Sequence, residues 1–187
     1  MARAKHRPRL TDLELILHAL EFAAHKHRDQ RRKDIHASPY INHPIALANV
    51  LVNEGGVRDP KIICAALLHD TVEDTETRPQ ELAREFGARI RDIVLEVTDD
   101  KALTKSERKR MQIVRAAHVS REARLVKLAD KICNLRDLAV HPPERWGLKR
   151  KQKYFDWAKE VIDRLRGSNP LLEAAFDRAY LRRPGKN

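Results

Sequence analysis

The stretch IICAALLHDTVED, residues Ile62–Asp74, decides how this chain folds. Its opening run, Ile62 to Leu68, is apolar on every side, which a helix tolerates only in the centre of a fold. Pro60 suits the first turn of that helix. Four ionisable groups then arrive close together: His69, Asp70, Glu73 and Asp74. His69 and Glu73 are four residues apart, as are Asp70 and Asp74, so a continuous helix would put each pair on one face. Such groups are costly on so apolar a segment unless something binds them. Clustered carboxylates also repel one another until a positive charge joins them. The bland alternative is a common dipeptide followed by acids that face water. On the stronger reading, the helix carries His69 and Asp70 from the core to the floor of a cavity.

Outward from this segment the chain reads as a series of helices. Thr11-Asp12-Leu13-Glu14 and Thr104-Lys105-Ser106-Glu107 are capping boxes. A polar, basic stretch from Asp29 to Ser38 interrupts the pattern, and Pro44 opens a helix that stops at Gly55-Gly56. A short helix runs from Pro79 to Phe86 and ends at Gly87. Ser120 caps a long helix with Leu125, Leu128, Ile132 and Leu135 inward, closed by Pro142-Pro143. A final pair spans about Lys149 to Leu165 and Pro170 to Leu181. The expectation is one domain over residues 1–187, with a basic tail over 1–10 and a frayed tail over 182–187.

The composition agrees. Among 187 residues only 6 are glycine, and β-branched runs are short, which favours helices over sheets. No apolar run is long enough to cross a bilayer, and the basic N-terminus lacks a secretory h-region. Cys64 and Cys133 lie in apolar helical patterns and read as buried reduced thiols of a cytoplasmic protein. The formal charge of +11 attracts polyanions, whether nucleic acid or a phosphorylated small molecule.

Three places supply metal-type ligands: His43 at a helix start, His69-Asp70, and Asp130 inside an otherwise apolar-periodic helix. The competing readings are a helix-entry hydrogen bond for His43 and a partner for Lys127 or Lys131 in Asp130. Two imidazoles with two carboxylates suit Mn, Fe or Zn better than Mg or Ca. A water held at such a site becomes a nucleophile near neutral pH. Glu73 and Asp74 can then handle its protons. The run Asp29-Gln30-Arg31-Arg32-Lys33-Asp34 offers cations for a pyrophosphate.

The ordered series His43-Pro44, His69-Asp70, Glu73-Asp74, then Asp130 followed by Asn134 resembles the HD-domain metal phosphohydrolases. More narrowly, Arg32-Lys33, the segment from Pro39 to Pro44, the segment from Ala66 to Thr75 and the segment from Val126 to Lys131 resemble the hydrolase domain of RelA/SpoT alarmone enzymes. With Glu96 to Lys101, the chain is most similar to the stand-alone small alarmone hydrolases related to the metazoan SpoT homologue. The resemblance implies an all-α HD-domain bundle of about ten helices and one Mn2+ held by His43, His69, Asp70 and Asp130. It implies hydrolysis of the 3′-pyrophosphate of ppGpp, the stringent-response alarmone, to GDP and pyrophosphate, with Glu73 and Asp74 activating the water. By the same resemblance Arg32, Lys33 and Asn134 contact substrate, and Arg150 and Tyr154 match positions near the phosphates. The same metal and water could instead serve the 2′-phosphate of NADPH. A basic nucleic-acid-binding module with a vestigial site ranks lowest, because every residue the chemistry needs is present.

Overall fold

Helix starts follow from local chemistry. In the computed structural model, which describes residues 10–185, Thr11 accepts the Glu14 amide while the Glu14 carboxylate takes the Thr11 N–H, closing the expected capping box. Thr104 and Glu107 repeat it, Ser120 accepts from the Ala123 amide, and Asp59 accepts from Lys61 ahead of Pro60. Each side chain satisfies an amide that has no partner within its helix. The elements are α1 (Asp12–Lys26), α2 (Asn42–Asn49), α3 (Pro60–Leu68), α4 (Thr71–Asp74), α5 (Pro79–Phe86), α6 (Ala88–Val97), α7 (Lys105–Ala116), α8 (Arg121–Val140), α9 (Leu148–Asp163) and α10 (Pro170–Tyr180). Among the described residues the β-type pairing is a single bridge between Arg31 and Pro39.

The apolar run lies where its pattern requires. Every residue from Ile62 to Leu68 is buried, and α1, α2, α6 and α8 pack around α3. Burying each large aliphatic side chain there contributes about 1.5–3 kcal/mol. The long helix α8 is the second axis, packed against α2, α3, α6, α9 and α10. No helix among the described residues is long and apolar enough to cross a membrane. Cys64 and Cys133 are both buried and free, as the pattern implied.

Two features depart from simple helical periodicity. First, α2 continues as a π-helical turn, Val50–Glu54, before the stop at Gly55-Gly56. A Cβ at Gly55 would meet the Leu172 side chain of α10 at 2.7 Å, so only glycine allows this approach, and Gly56 has a φ of 65°. Second, α3 does not run on to Asp74. It ends at Leu68, and the chain restarts as the single turn α4.

Of the expected tails, residues 1–9 and 186–187 lie outside the described residues. Within the C-terminal stretch, Arg183 forms a two-pronged pair with Asp156, and the Pro184 carbonyl accepts from Gln152.

Candidate active site

The break after α3 shapes the site. The Thr71 hydroxyl donates to the Leu68 carbonyl at 2.7 Å, so a side chain takes an acceptor near the helix end. His69 and Asp70 therefore sit in a turn, and the Glu73 and Asp74 pair belongs to a separate short element. The sequence spacing had put all four on continuous helical faces, and the structure corrects this. His43 enters on the first turn of α2, where its amide donates to the Tyr40 carbonyl. Asp130 comes from the middle of α8.

His43, His69 and Asp130 meet, with one ligand-type atom from each lying within 4.8 Å of the others. His69 Nδ1 lies 2.8 Å from the Ala66 carbonyl, an acceptor, so Nδ1 carries the hydrogen. That leaves Nε2 buried and facing the cluster without a hydrogen bond. An imidazole oriented through one nitrogen with the other left bare is the arrangement of a metal ligand. Asp70 lies on the same wall, with Oδ2 at 2.9 Å from His69 Nε2 but outside hydrogen-bond geometry. The Tyr40 hydroxyl donates to that oxygen. Burial opposes charge on His69, but the Asp70 and Asp130 carboxylates outweigh it and push its pKa up to about 9. Without added positive charge the cluster attracts a proton, which is the demand a divalent cation meets. The donor set therefore fits a cation of the mixed N/O type. Asp130 also shows its competing role, because Oδ2 pairs with Lys131 at 2.8 Å while Oδ1 faces His43 at 3.2 Å.

Glu73 and Asp74 border the same cavity of about 220 Å³. Glu73 Oε2 accepts the Asp99 amide at 3.0 Å, and Oε1 lies 3.6 Å from Arg108. Burial raises the Glu73 pKa, and nearby Asp99, Asp70 and Asp74 add to the rise against the pull of the Asp99 amide. Asp74 is fixed from both sides, by Lys101 at 2.6 Å on Oδ1 and Gln30 at 3.2 Å on Oδ2.

Of the residues expected to hold substrate, Arg32, Asn134 and Tyr154 line the cavity. Arg32 pairs with Asp137 at 2.6 Å, and Asn134 donates to Asp130 at 2.6 Å. Lys33 and Arg150 lie further out, both exposed, with the Arg150 guanidinium stacked 4.3 Å over Trp146. They belong to a rim of cations. Burial, then Arg150, Lys33 and Arg108, lower the Lys105 pKa. Lys109 is lowered by burial, then by Lys105, Lys131 and Arg150, and its ammonium caps Trp157 at 4.5 Å. Like charges crowded in this way suit a multiply charged anion.

Sequence reasoning gave no role to Tyr40, Asp99, Lys105, Lys109, Gln112 or Trp157, and it offered Lys127 only as an alternative partner for Asp130, a place that Lys131 takes. The i, i+4 spacing of Lys105 and Lys109 was a signal for a cationic stripe on one helical face. Nothing in the sequence marked Lys127 as a buried residue of the cavity wall.

The HD-domain family model matches residues 19–154 of this chain. The chain is 54% identical over 171 residues to guanosine-3′,5′-bis(diphosphate) 3′-pyrophosphohydrolase MESH1 of Xenopus tropicalis, covering 91% of this chain and 96% of that one. It is 53% identical over 168 residues to the human protein of the same name, covering 90% and 94%. A solved structure, a metazoan orthologue of SpoT that hydrolyses ppGpp and plays a role in starvation responses, superposes with a TM-score of 0.88 at 46% identity, covering 95% of this chain and 98% of that one.

Proposed function

We propose that this chain, which belongs to the HD-domain family, is a guanosine-3′,5′-bis(diphosphate) 3′-pyrophosphohydrolase that works with Mn2+. The observation that carries the chemistry is the buried, bare His69 Nε2 beside His43 and Asp130, with two carboxylates on the next turn. The substrate comes from relatives about half identical over nine-tenths of the chain, all named for this reaction.

His43, His69, Asp70 and Asp130 would hold the cation, and Tyr40 and Asn134 keep the two carboxylates oriented. When bound, a divalent cation supplies Lewis acidity and a nucleophilic water at neutral pH. Glu73, with its affinity for a proton raised by burial, takes the proton from the attacking water. Asp74, clamped between Lys101 and Gln30, orients that water. The water oxygen bonds to the phosphorus nearer the ribose as the P–O3′ bond breaks. The ribose O3′ leaves with the electron pair and receives the proton that Glu73 had taken. The products are GDP and pyrophosphate, and the carboxylates end as they began. The cationic rim holds the remaining phosphate charge, a preorganised electrostatic environment for an anionic transition state.

The test is incubation with ppGpp and Mn2+, with nucleotides resolved by ion exchange and NADPH run in parallel. GDP formation by the wild type and its loss in His69→Ala are expected. No GDP, or equal GDP from the variant, overturns the reading. A kcat/KM for NADPH above that for ppGpp would move the substrate assignment to the 2′-phosphate.

A further inference from the structure

Lys127 stands on α8 one turn before Asp130 and lines the cavity. The residue is only 7% exposed. Among the described residues, its ammonium makes no hydrogen bond and has no carboxylate within ion-pair distance. Lys131, one turn later and 4% exposed, is different: it pairs with Asp130 at 2.8 Å and lies 4.6 Å from the Trp157 ring centre. The acids that act on Lys127 already have partners. Asp99 accepts from Gln112 at 2.7 Å, Glu73 accepts the Asp99 amide, and Asp130 is shared by Lys131, His43 and Asn134. Burial, followed by the charge of Lys131, pulls the Lys127 pKa down to about 8, so its charge is held at a cost. A side chain buried along its length, whose ammonium borders an anion-binding cavity without a protein partner, is accounted for by an anion that arrives from outside.

We propose that Lys127 binds phosphate in this cavity, its ammonium donating to the oxygens of the phosphoryl group that reacts between Glu73 and the His43, His69 and Asp130 cluster. The proposal rests on the hydrolase reading for the identity of that group. The rival role is a counter-charge for Glu73 and Asp99 in the resting protein.

Inorganic pyrophosphate is the probe, titrated calorimetrically into manganese-loaded protein. Lys127→Met and Lys127→Gln remove the charge at nearly constant length. Lys159→Met, on the far part of α9 and paired with Asp163, removes one charge outside the cavity. Circular dichroism melting checks folding in each case. Both Lys127 variants should bind pyrophosphate about tenfold more weakly or worse, the usual effect of deleting a charged hydrogen bond. Lys159→Met should bind as the wild type does, and the Lys127 variants should melt no lower than the wild type. A loss below about fivefold in a folded Lys127 variant, or an equal loss in Lys159→Met, overturns the proposal. Lowered melting, or failure of both Lys127 variants to fold, assigns the charge to the resting structure and also overturns it. Because no ppGpp is used, a wild type that fails to hydrolyse ppGpp sinks the hydrolase reading alone.

Discussion

Helices α3 and α8 lie side by side at the centre of the molecule, and they reach the site by opposite means. From Ile62 to Leu68, α3 buries only apolar side chains and releases its polar groups after the helix has stopped. Helix α8 keeps Lys127, Asp130 and Lys131 within its buried length. The first helix avoids the cost of burying charge by ending. The second offsets that cost through neighbours: Lys131 on Asp130, and Asp130 on His43 and Asn134. Where a site residue follows the end of α3, the packing of that helix positions it. Where it sits on α8, other charges do.

The largest break in that contrast should come from Asp130→Asn. It leaves Lys131 buried against an uncharged amide and should cost roughly 3–5 kcal/mol by urea denaturation. Bound manganese, measured by elemental analysis, and ppGpp hydrolysis should both be lost. If stability is unchanged, the charges of α8 are not coupled to its packing. Leu68→Ala should cost about 2–5 kcal/mol through the cavity it leaves, yet the folded fraction should keep its full manganese content. A proportionate loss of metal would mean that α3 does more than support the site. Thr71→Val removes the hydroxyl bond to the Leu68 carbonyl. About 1 kcal/mol of stability should go with it, and kcat should fall about tenfold as Glu73 and Asp74 lose their placement.

The smallest effect belongs to a partly exposed pair that joins α8 to the π-helical turn. Arg136 grips both oxygens of Glu54 at 2.6 and 2.8 Å and lowers its pKa. A lowered carboxyl pKa stabilises the fold above the ordinary glutamate value and loses that contribution as pH falls through the folded value. Glu54→Gln should therefore cost about 0.5–1 kcal/mol near neutral pH. The gap to wild type, followed by urea midpoints, should close in acid below the usual glutamate pKa of about 4.3.

Most of the helical frame was legible because its punctuation is local. Thr11, Thr104 and Ser120 cap where the sequence placed them, and α5 spans Pro79–Phe86 as expected. The meeting of His43, His69 and Asp130 was anticipated through residue types and resemblance, and one buried cluster brings them together. The break at His69-Asp70 was not legible, because a threonine that caps a carbonyl looks the same in sequence as one that faces water. The π-helical turn at Val50–Glu54 carries no compositional mark either. The chain has 38 lysines and arginines, and periodicity could not say which two would be buried on α8.

The bridge between Arg31 and Pro39 has a consequence for how this enzyme could vary. The Arg32 amide donates to the Ser38 carbonyl and the Tyr40 amide to the Gln30 carbonyl, while Asp34 ties the tip through the amides of His36 and Ser38. The segment is pinned at its base, and its tip makes its own turn. Length changes between Asp34 and Ala37 could then accumulate without shifting Arg32 or Tyr40 on the cavity wall. That makes this loop a natural place for lineages to diverge, and for an engineer to splice in a new recognition element.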